Sequence, residues 1–228
     1  MESLTAKFTT AFRSERLIYR AIDMQDILLV ARMLWDPVNQ GFGDPTLYTP
    51  LSGTVGSVMV QKGLEASLLA VLVCLPNPQA QQDAAPGLPG NSLRAAQESA
   101  IPIGSLMLSK PTAPQTDHWR WTRIGLGIAE EHQGNGYGKE AVNWALDWAF
   151  EFAGMHRVEL TTASYNDRAI ALYKSLGFKE EGRKRETIYM DRRWWDMVEF
   201  GILEGEWEAL RGKKSGQSGG QRIVQGGF

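Results

Sequence analysis

Three glycines, Gly134, Gly136 and Gly138, stand between an apolar run with strand character (Ile124, Leu126, Ile128) and a strongly amphipathic stretch that continues to Phe152. A strand, a glycine loop and a helix in this order make an anion-binding unit. Glycines let backbone N–H groups converge without side-chain obstruction, and a helix start adds unpaired N–H groups and the positive end of its dipole. The guest this predicts is a diphosphate. Further along, Asn166 and Tyr173 are seven residues apart in a short helical stretch. Two turns separate them, so both side chains lie on one face.

Two familiar phosphate loops fail here. A P-loop needs G-x-x-x-x-G-K-[ST], but Gly138-Lys139 is followed by Glu140 and position 133 is Gln. A dinucleotide loop needs G-x-G-x-x-G; Gly134 and Gly136 fit, and the third position is Lys139.

The elements that must hold these residues follow from periodicity. Arg16 to Ala21 reads as a first strand, and Asp23 caps a helix through Trp35, with Ile27, Val30, Ala31 and Leu34 at helical spacing. Asp36-Pro37 stops that helix, Gly41 to Gly53 reads as a loop, and Val55 to Ala66 as a second helix striped by Val55, Val58, Met59 and Leu64. Ser67 to Leu75, Ile101 to Ser109 and Trp119 to Ala129 are strand-length apolar runs, the last two joined by a short turn as in an antiparallel meander. After the glycine loop come a helix striped by Ala141, Val142, Ala145, Trp148, Ala149 and Phe152, stopped at Gly154, a strand from His156 to Thr162, and a short helix from Asn166 to Leu176 ended by Gly177. Arg185 to Met190 and Trp195 to Leu203 form a last strand pair. The order implies an α/β sandwich, helices on a twisted, mostly antiparallel mixed sheet.

Composition sets the outer limits. The 228 residues suffice for one domain with a full core, 43% hydrophobic and 22% charged residues are ordinary for a soluble globular protein, and a net charge of -2 does not imply a nucleic-acid partner. No run approaches the ~20 apolar residues that cross a bilayer. The N-terminus has no apolar signal core, and the single Cys74 lies in an apolar run with no disulfide or metal-ligand partner. A cytoplasmic protein without metal is the expectation. Residues 1–14 read as an N-terminal extension, 15–210 as the domain, 76–99 as a flexible insertion and 211–228 as a flexible tail.

Gln133, Gly136 and Gly138 match Q/R-x-x-G-x-G/A, and Asn166 to Phe178 match N-x-x-A-x-x-L-Y-x-x-x-G-F. With these two motifs in this order the chain resembles the GNAT superfamily of acyl-CoA-dependent N-acyltransferases from about Glu15 to Trp207. The later GRKRE and EW segments resemble its branch of ribosomal-protein N-terminal acetyltransferases. The resemblance implies the GNAT fold and acetyl-CoA as co-substrate. It implies that the loop Gln133, Gly134, Asn135, Gly136, Tyr137, Gly138 and Lys139 grips the pyrophosphate, that the strand at Leu126 and Ile128 receives pantetheine, and that Asn166 and Arg168 bind the cofactor arm. Tyr173 is, on the same ground, both a cofactor contact and the acid that protonates the leaving thiolate.

The resemblance leaves the general base open. Arg123 to Ile128 carry no acid, so Glu130 is the first candidate, with Glu159, Asp196 or a water relay as others and His132 and His156 behind them. Trp194, Trp195, Tyr189 and Tyr48 are candidates to line an acceptor cleft. The expected activity is direct acetyl transfer from the thioester to a primary amine of a small molecule or a protein N-terminus, by a monomer or homodimer. The alternative is a CoA-binding sensor or interaction module that keeps the fold with little turnover.

Overall fold

The apolar run Ser67 to Leu75 is continuous rather than alternating because both of its faces are covered. Val71 and Val73 enter one core and Leu72 and Cys74 a second, on the other side of the same sheet. The computed structural model describes residues 4–43, 48–79, 96–110 and 117–213. Ile18–Ala21 is β1, and Ser67–Leu75 (β2) and Ile101–Ser109 (β3) have the bounds their apolar runs predict. Trp121–Ile128 (β4), Arg157–Ala163 (β5), Lys179–Met190 (β6) and Arg193–Leu203 (β7) complete a seven-stranded sheet in the order β1-β2-β3-β4-β5-β7-β6. Every neighbouring pair is antiparallel except β4 with β5. The sheet is the mixed, mostly antiparallel one expected.

Helices cover both faces. Tyr137–Glu151 (α5) packs Val142, Ala145 and Ala149 into a core with Leu106, Leu108, Val158 and Phe200. Asp167–Ser175 (α6) and Glu204–Leu210 (α7) lie on that side through Leu172 and Trp207. The opposite face carries Ile27–Leu34 (α2) and Gly53–Glu65 (α4), whose Val30, Ala31 and Val60 meet Ile18, Leu72 and Cys74. Burial pushes the Cys74 thiol up to about 11, so it is an inert core residue. Among the described residues no helix is long and apolar enough to cross a membrane.

Four expectations need revision. Asp36-Pro37 ends α2 but also starts another helix, Pro37–Gly43 (α3). The Asp36 carboxylate accepts the N–H groups of Val38 and Asn39 at 2.9 and 3.0 Å, and proline suits the first helical position. Gly41, Phe42 and Gly43 are therefore helical rather than loop, and residues 44–47 lie outside the described region. The stripe assigned to α4 faces the wrong way: Val55, Val58 and Met59 are exposed, while Gly56 and Val60 are buried. A Cβ on Gly56 would come within 3.2 Å of the Ala31 Cβ, so the smallest residue, not the largest, marks the contact face with α2.

The ends also differ. Leu4–Thr10 is a helix (α1), and the segment after it packs on α5, with Trp144 Nε1 donating to the Ala11 carbonyl at 2.8 Å and the Tyr19 and Trp144 rings stacked 3.6 Å apart. Arg211, placed in the tail by sequence, donates to Asp147 at 2.8 Å and Asn143 at 3.0 Å on α5, and Lys213 pairs with Glu151. The rest of the proposed tail, and residues 80–95 of the proposed insertion, lie outside the described residues.

One buried ion pair anchors α2 to the sheet. Arg20 on β1 donates to both oxygens of Asp26 at 2.7 and 3.0 Å, and Asp26 also accepts the Asp23 N–H at 2.9 Å. The guanidinium holds the Asp26 carboxyl below the usual carboxylate range. Asp26→Asn strands the Arg20 charge, and should lower unfolding free energy at neutral pH by about 3 kcal/mol in urea titrations. Because the folded pKa is the depressed one, the stabilisation is complete above the unfolded carboxylate pKa and lost as pH falls through the folded value. The difference between the two proteins should therefore shrink in acid below the ordinary aspartate pKa.

Candidate functional site

Strands β4 and β5 pair only from Trp121 to Arg123 against Arg157 to Glu159, and then separate. Past that point β4 continues along β3 and β5 along β7, so the middle of the sheet opens into a wedge. Backbone groups alternate sides along a strand, and the Ala129 N–H donates to the Ile103 carbonyl on β3 at 2.9 Å. Gly127 and Gly125 consequently face β3, while Leu126 and Ile128 turn their polar groups into the wedge. A cavity of about 660 Å³ fills it, bounded by β4 from Arg123 to Ile128, by Thr161 and Thr162 of β5, by Leu34 of α2 and Trp35 that follows it, by Val38 and Phe42 of α3, and by the glycine loop.

β4 approaches β3 very closely here. A Cβ on Gly104 would lie 2.3 Å from the Gly127 carbonyl oxygen, so this register requires glycine. The glycine loop then turns through two left-handed residues, Gly134 at φ +79° and Gly136 at φ +80°. No side chain caps α5, whose first internal bond runs from the Glu140 N–H to the Gly136 carbonyl at 3.1 Å. The N–H groups of Tyr137, Gly138 and Lys139 thus precede any helical acceptor and stand at the cavity with the positive end of the dipole.

The loop is braced from several sides. Gln133 Nε2 donates to the Ile128 carbonyl at 2.8 Å and to Asn39 Oδ1 at 3.0 Å, and Gln133 Oε1 accepts from Arg168 at 2.8 Å. Asn135 donates to the His132 and Gln133 carbonyls, both at 3.2 Å, and does not line the cavity. Asn166 caps α6 by accepting the Ala169 N–H at 3.1 Å, and its amide donates to the Phe42 carbonyl of α3 at 3.0 Å. The side chains of Gln133, Asn135, Asn166 and Arg168 therefore hold protein groups. What the site offers a ligand is mainly backbone.

Arg16 and Glu140 are braces that sequence reasoning missed. The Arg16 backbone N–H and Nε both donate to Glu140, at 2.7 and 2.8 Å, Nη1 donates to the Asn135 carbonyl at 3.0 Å, and the guanidinium lies 4.9 Å from the Tyr137 ring centre. Burial opposes ionisation of Glu140, but hydrogen bonds from Ser14 and Arg16 outweigh it and hold the carboxyl below its usual range. The partners are 124 positions apart, and no spacing signals them.

Tyr173 projects from α6 into the cavity wall, with its ring against Phe178 at 5.7 Å and Phe200 at 6.2 Å. Burial raises its pKa, and among the described residues its hydroxyl has no hydrogen-bond partner. The acidic base candidates are elsewhere. Glu130 is exposed on a 3₁₀ turn and does not line the cavity. Glu159 pairs with Arg123 at 2.7 Å and Arg157 at 3.5 Å, and Asp196 accepts the Glu186 N–H at 3.0 Å beside Arg183. His156 lies 3.6 Å from Glu204, while His132 does line the cavity. Among the described residues no Asp or Glu lines the cavity, and no group of three His, Cys, Asp or Glu could hold a metal. The Trp194 and Tyr189 rings meet at a tilt of 57° at an exposed hairpin tip, centres 5.1 Å apart, Trp195 donates to the Met190 carbonyl and Tyr48 to the Pro37 carbonyl. None of these four aromatics lines the cavity.

Residues 74–178 match the Acetyltransferase (GNAT) family. Among curated proteins, the spermidine N(1)-acetyltransferase of Vibrio cholerae is 36% identical over 80 residues, 35% of this chain and 46% of that protein. The putative ribosomal N-acetyltransferase YdaF of Bacillus subtilis is 34% identical over 89 residues, 39% of this chain and 49% of that protein. The chain thus spans about half the length of the curated relatives it matches. Among solved structures, a GNAT-family acetyltransferase from Bacillus anthracis superposes with a TM-score of 0.63 at 20% identity, over 85% of this chain and 98% of that one. The Vibrio cholerae spermidine N-acetyltransferase in complex with CoA and spermine gives 0.64 at 21%, over 85% and 99%. The fold is the GNAT fold.

The loop geometry has a direct test. Gly136→Val places a β-branched residue at φ +80° with its Cβ 3.4 Å from the Arg16 guanidinium. Such strain costs roughly 1–2 kcal/mol, and the denaturant midpoint should fall accordingly.

Proposed function

We infer from a GNAT fold whose residues 74–178 carry the acetyltransferase (GNAT) family pattern that this chain is an acetyl-CoA-dependent N-acetyltransferase. The observation that carries this reading is the parting of β4 from β5. It leaves the Leu126 amide edge free between the uncapped start of α5 and the unpartnered hydroxyl of Tyr173. A molecule with a diphosphate at one end, two amides in its arm and a thioester at the other fits this sequence of groups.

The residues act in order along the wedge. N–H groups from Gly134 to Lys139 hold the diphosphate, with the Lys139 side chain beside them. The arm adds to β4 as a strand would, through the polar groups of Leu126 and Ile128. An N–H from this edge polarises the thioester carbonyl. The acceptor amine attacks the carbonyl carbon, the C–N bond forms and the C–S bond breaks. Tyr173, a phenol that burial pushes further above its usual range, gives its proton to the departing thiolate and is reprotonated from solvent. We assign removal of the ammonium proton to water, because the acidic candidates Glu130, Glu159 and Asp196 lie off the cavity and His132 stands next to Gln133 at the diphosphate-binding loop.

The acceptor is a primary amine of a small molecule or a protein N-terminus. Tyr173→Phe should lower kcat by about 10²-fold or more with acetyl-CoA affinity by calorimetry nearly unchanged, whereas Gly136→Val should abolish that affinity. Equal turnover of Tyr173→Phe and wild type overturns the acid role, and unchanged acetyl-CoA binding by Gly136→Val overturns the loop assignment. With water as the proton acceptor, kcat/KM should rise with pH until the acceptor is neutral. Its midpoint should track the acceptor, moving up by about two units from an α-amino group to an alkylamine.

A further inference from the structure

Resting on the acetyltransferase reading, we propose that the acceptor amine reaches the thioester from the α2 face of the sheet, across Gly125, and that the missing side chain there sets how large an acceptor the chain takes. Strand β4 presents different residues to its two faces. Ile124 and Ile128 are buried in the core beneath α5, and Leu126 packs against the same core. Tyr173 belongs to that face too, with its ring against Phe178 and Phe200. Gly125 and Gly127 turn the other way, toward α2, where a Cβ on Gly127 would lie 2.9 Å from Leu34 Cδ2. Leu34 thus covers Gly127, whereas Gly125 is exposed. Gly125 lines the cavity, and among the described residues nothing lies within 4 Å of a Cβ built on it. Across the wedge, Thr161 of β5 faces the same way as Gly125, because its neighbour Leu160 enters the core beneath α5, and it too is exposed and lines the cavity. On the α2 face the wedge therefore opens between Gly125 and Thr161.

The direction of attack follows from how the cofactor arm is held. Hydrogen bonds between neighbouring strands lie in the plane of the sheet, and a carbonyl oxygen accepts an N–H near its own trigonal plane. A thioester carbonyl that accepts an N–H of the β4 edge therefore lies roughly in the sheet. A nucleophile adds to a carbonyl carbon from above or below the trigonal plane, so it comes from one face of the sheet or the other. The α5 face is taken by Leu126, Ile128 and Tyr173. The α2 face at Gly125 is bare backbone. An amine arriving there forms the C–N bond, the C–S bond breaks, the thiolate takes the Tyr173 proton from the far side, and the surplus proton on nitrogen leaves to water. Any other residue at position 125 puts at least a Cβ into this path.

Substitutions at position 125 test the path without disturbing the fold. Gly125 is a strand residue outside the left-handed region, so a β-branched side chain suits its backbone, and the denaturant midpoint should not fall. Initial rates of the full chain with acetyl-CoA are compared for methylamine and benzylamine, primary amines on a small and a large body. Wild type should acetylate both. Gly125→Val should lower kcat/KM about tenfold or more for benzylamine and less than about threefold for methylamine, with acetyl-CoA affinity by calorimetry unchanged. Gly125→Ala should show the same order of losses at smaller size, and it decides the matter if Gly125→Val folds less well. Equal losses with the two amines, no loss with either, or acetyl-CoA binding by wild type without turnover of either amine overturns the inference. So does a loss of acetyl-CoA affinity in Gly125→Val, because the side chain then blocks the cofactor and not the acceptor. Absence of acetyl-CoA binding by wild type overturns the functional reading itself.

Discussion

The structure depends on a pair of parallel strands that pair for three residues and then part. A sheet interior normally satisfies every N–H and C=O by its neighbours, and unpaired groups there are costly. Between Ile124 and Ile128 the chain accepts that cost on the β5 side of β4, with the Ile128 carbonyl answered by Asn39 and Gln133. The neighbouring elements keep the wedge from closing. α3 lines one side, tied to the loop through Asn39 and Gln133, to α6 through Asn166 and to the β5–α6 turn through the Tyr165 hydroxyl on the Gly41 carbonyl at 2.7 Å. The glycine loop stops the other side. The opening is a built feature, held by hydrogen bonds that converge from distant parts of the chain.

Much of the frame was legible. β2 and β3 are apolar on both faces because both are covered, so length and β-branching suffice to find them. The glycine loop and the Asn166 to Phe178 motif are local patterns, and local patterns survive in a single sequence. Helix α3 was missed because a Pro-started helix with two glycines looks like a loop to propensity, and its cap residue Asp36 also reads as a stop. The face of α4 was misread because close helix packing selects Gly56, which carries no hydrophobic signal.

The site was legible by position and much less so by role. Gln133, Asn166 and Arg168 are where the motifs put them, yet each side chain is engaged with protein atoms. A motif shows that a residue type recurs at a place, and a brace recurs for the same reason a ligand does. Arg16 and Glu140, which fix the loop from outside, carry no such pattern because ion pairing between distant segments leaves no spacing to read. The cavity's shape is likewise a property of walls drawn from α2, α3, β3, β4 and β5 together.

The outer strands show the opposite treatment of unpaired backbone. β6, twelve residues long and largely exposed, is an edge that would invite another chain to pair with it. Two register shifts interrupt it, at Glu180/Gly182 and Lys184/Ile188, and Lys179, Arg183 and Lys184 charge it along its length. At the far edge β1 is only four residues long. Kinks, charge and brevity are defences against aggregation, and they sit on the perimeter. The strand edge that stays regular and uncharged past Arg123 is the enclosed one on β4, so the fold confines its stickiest backbone to a place that only a slender guest can reach.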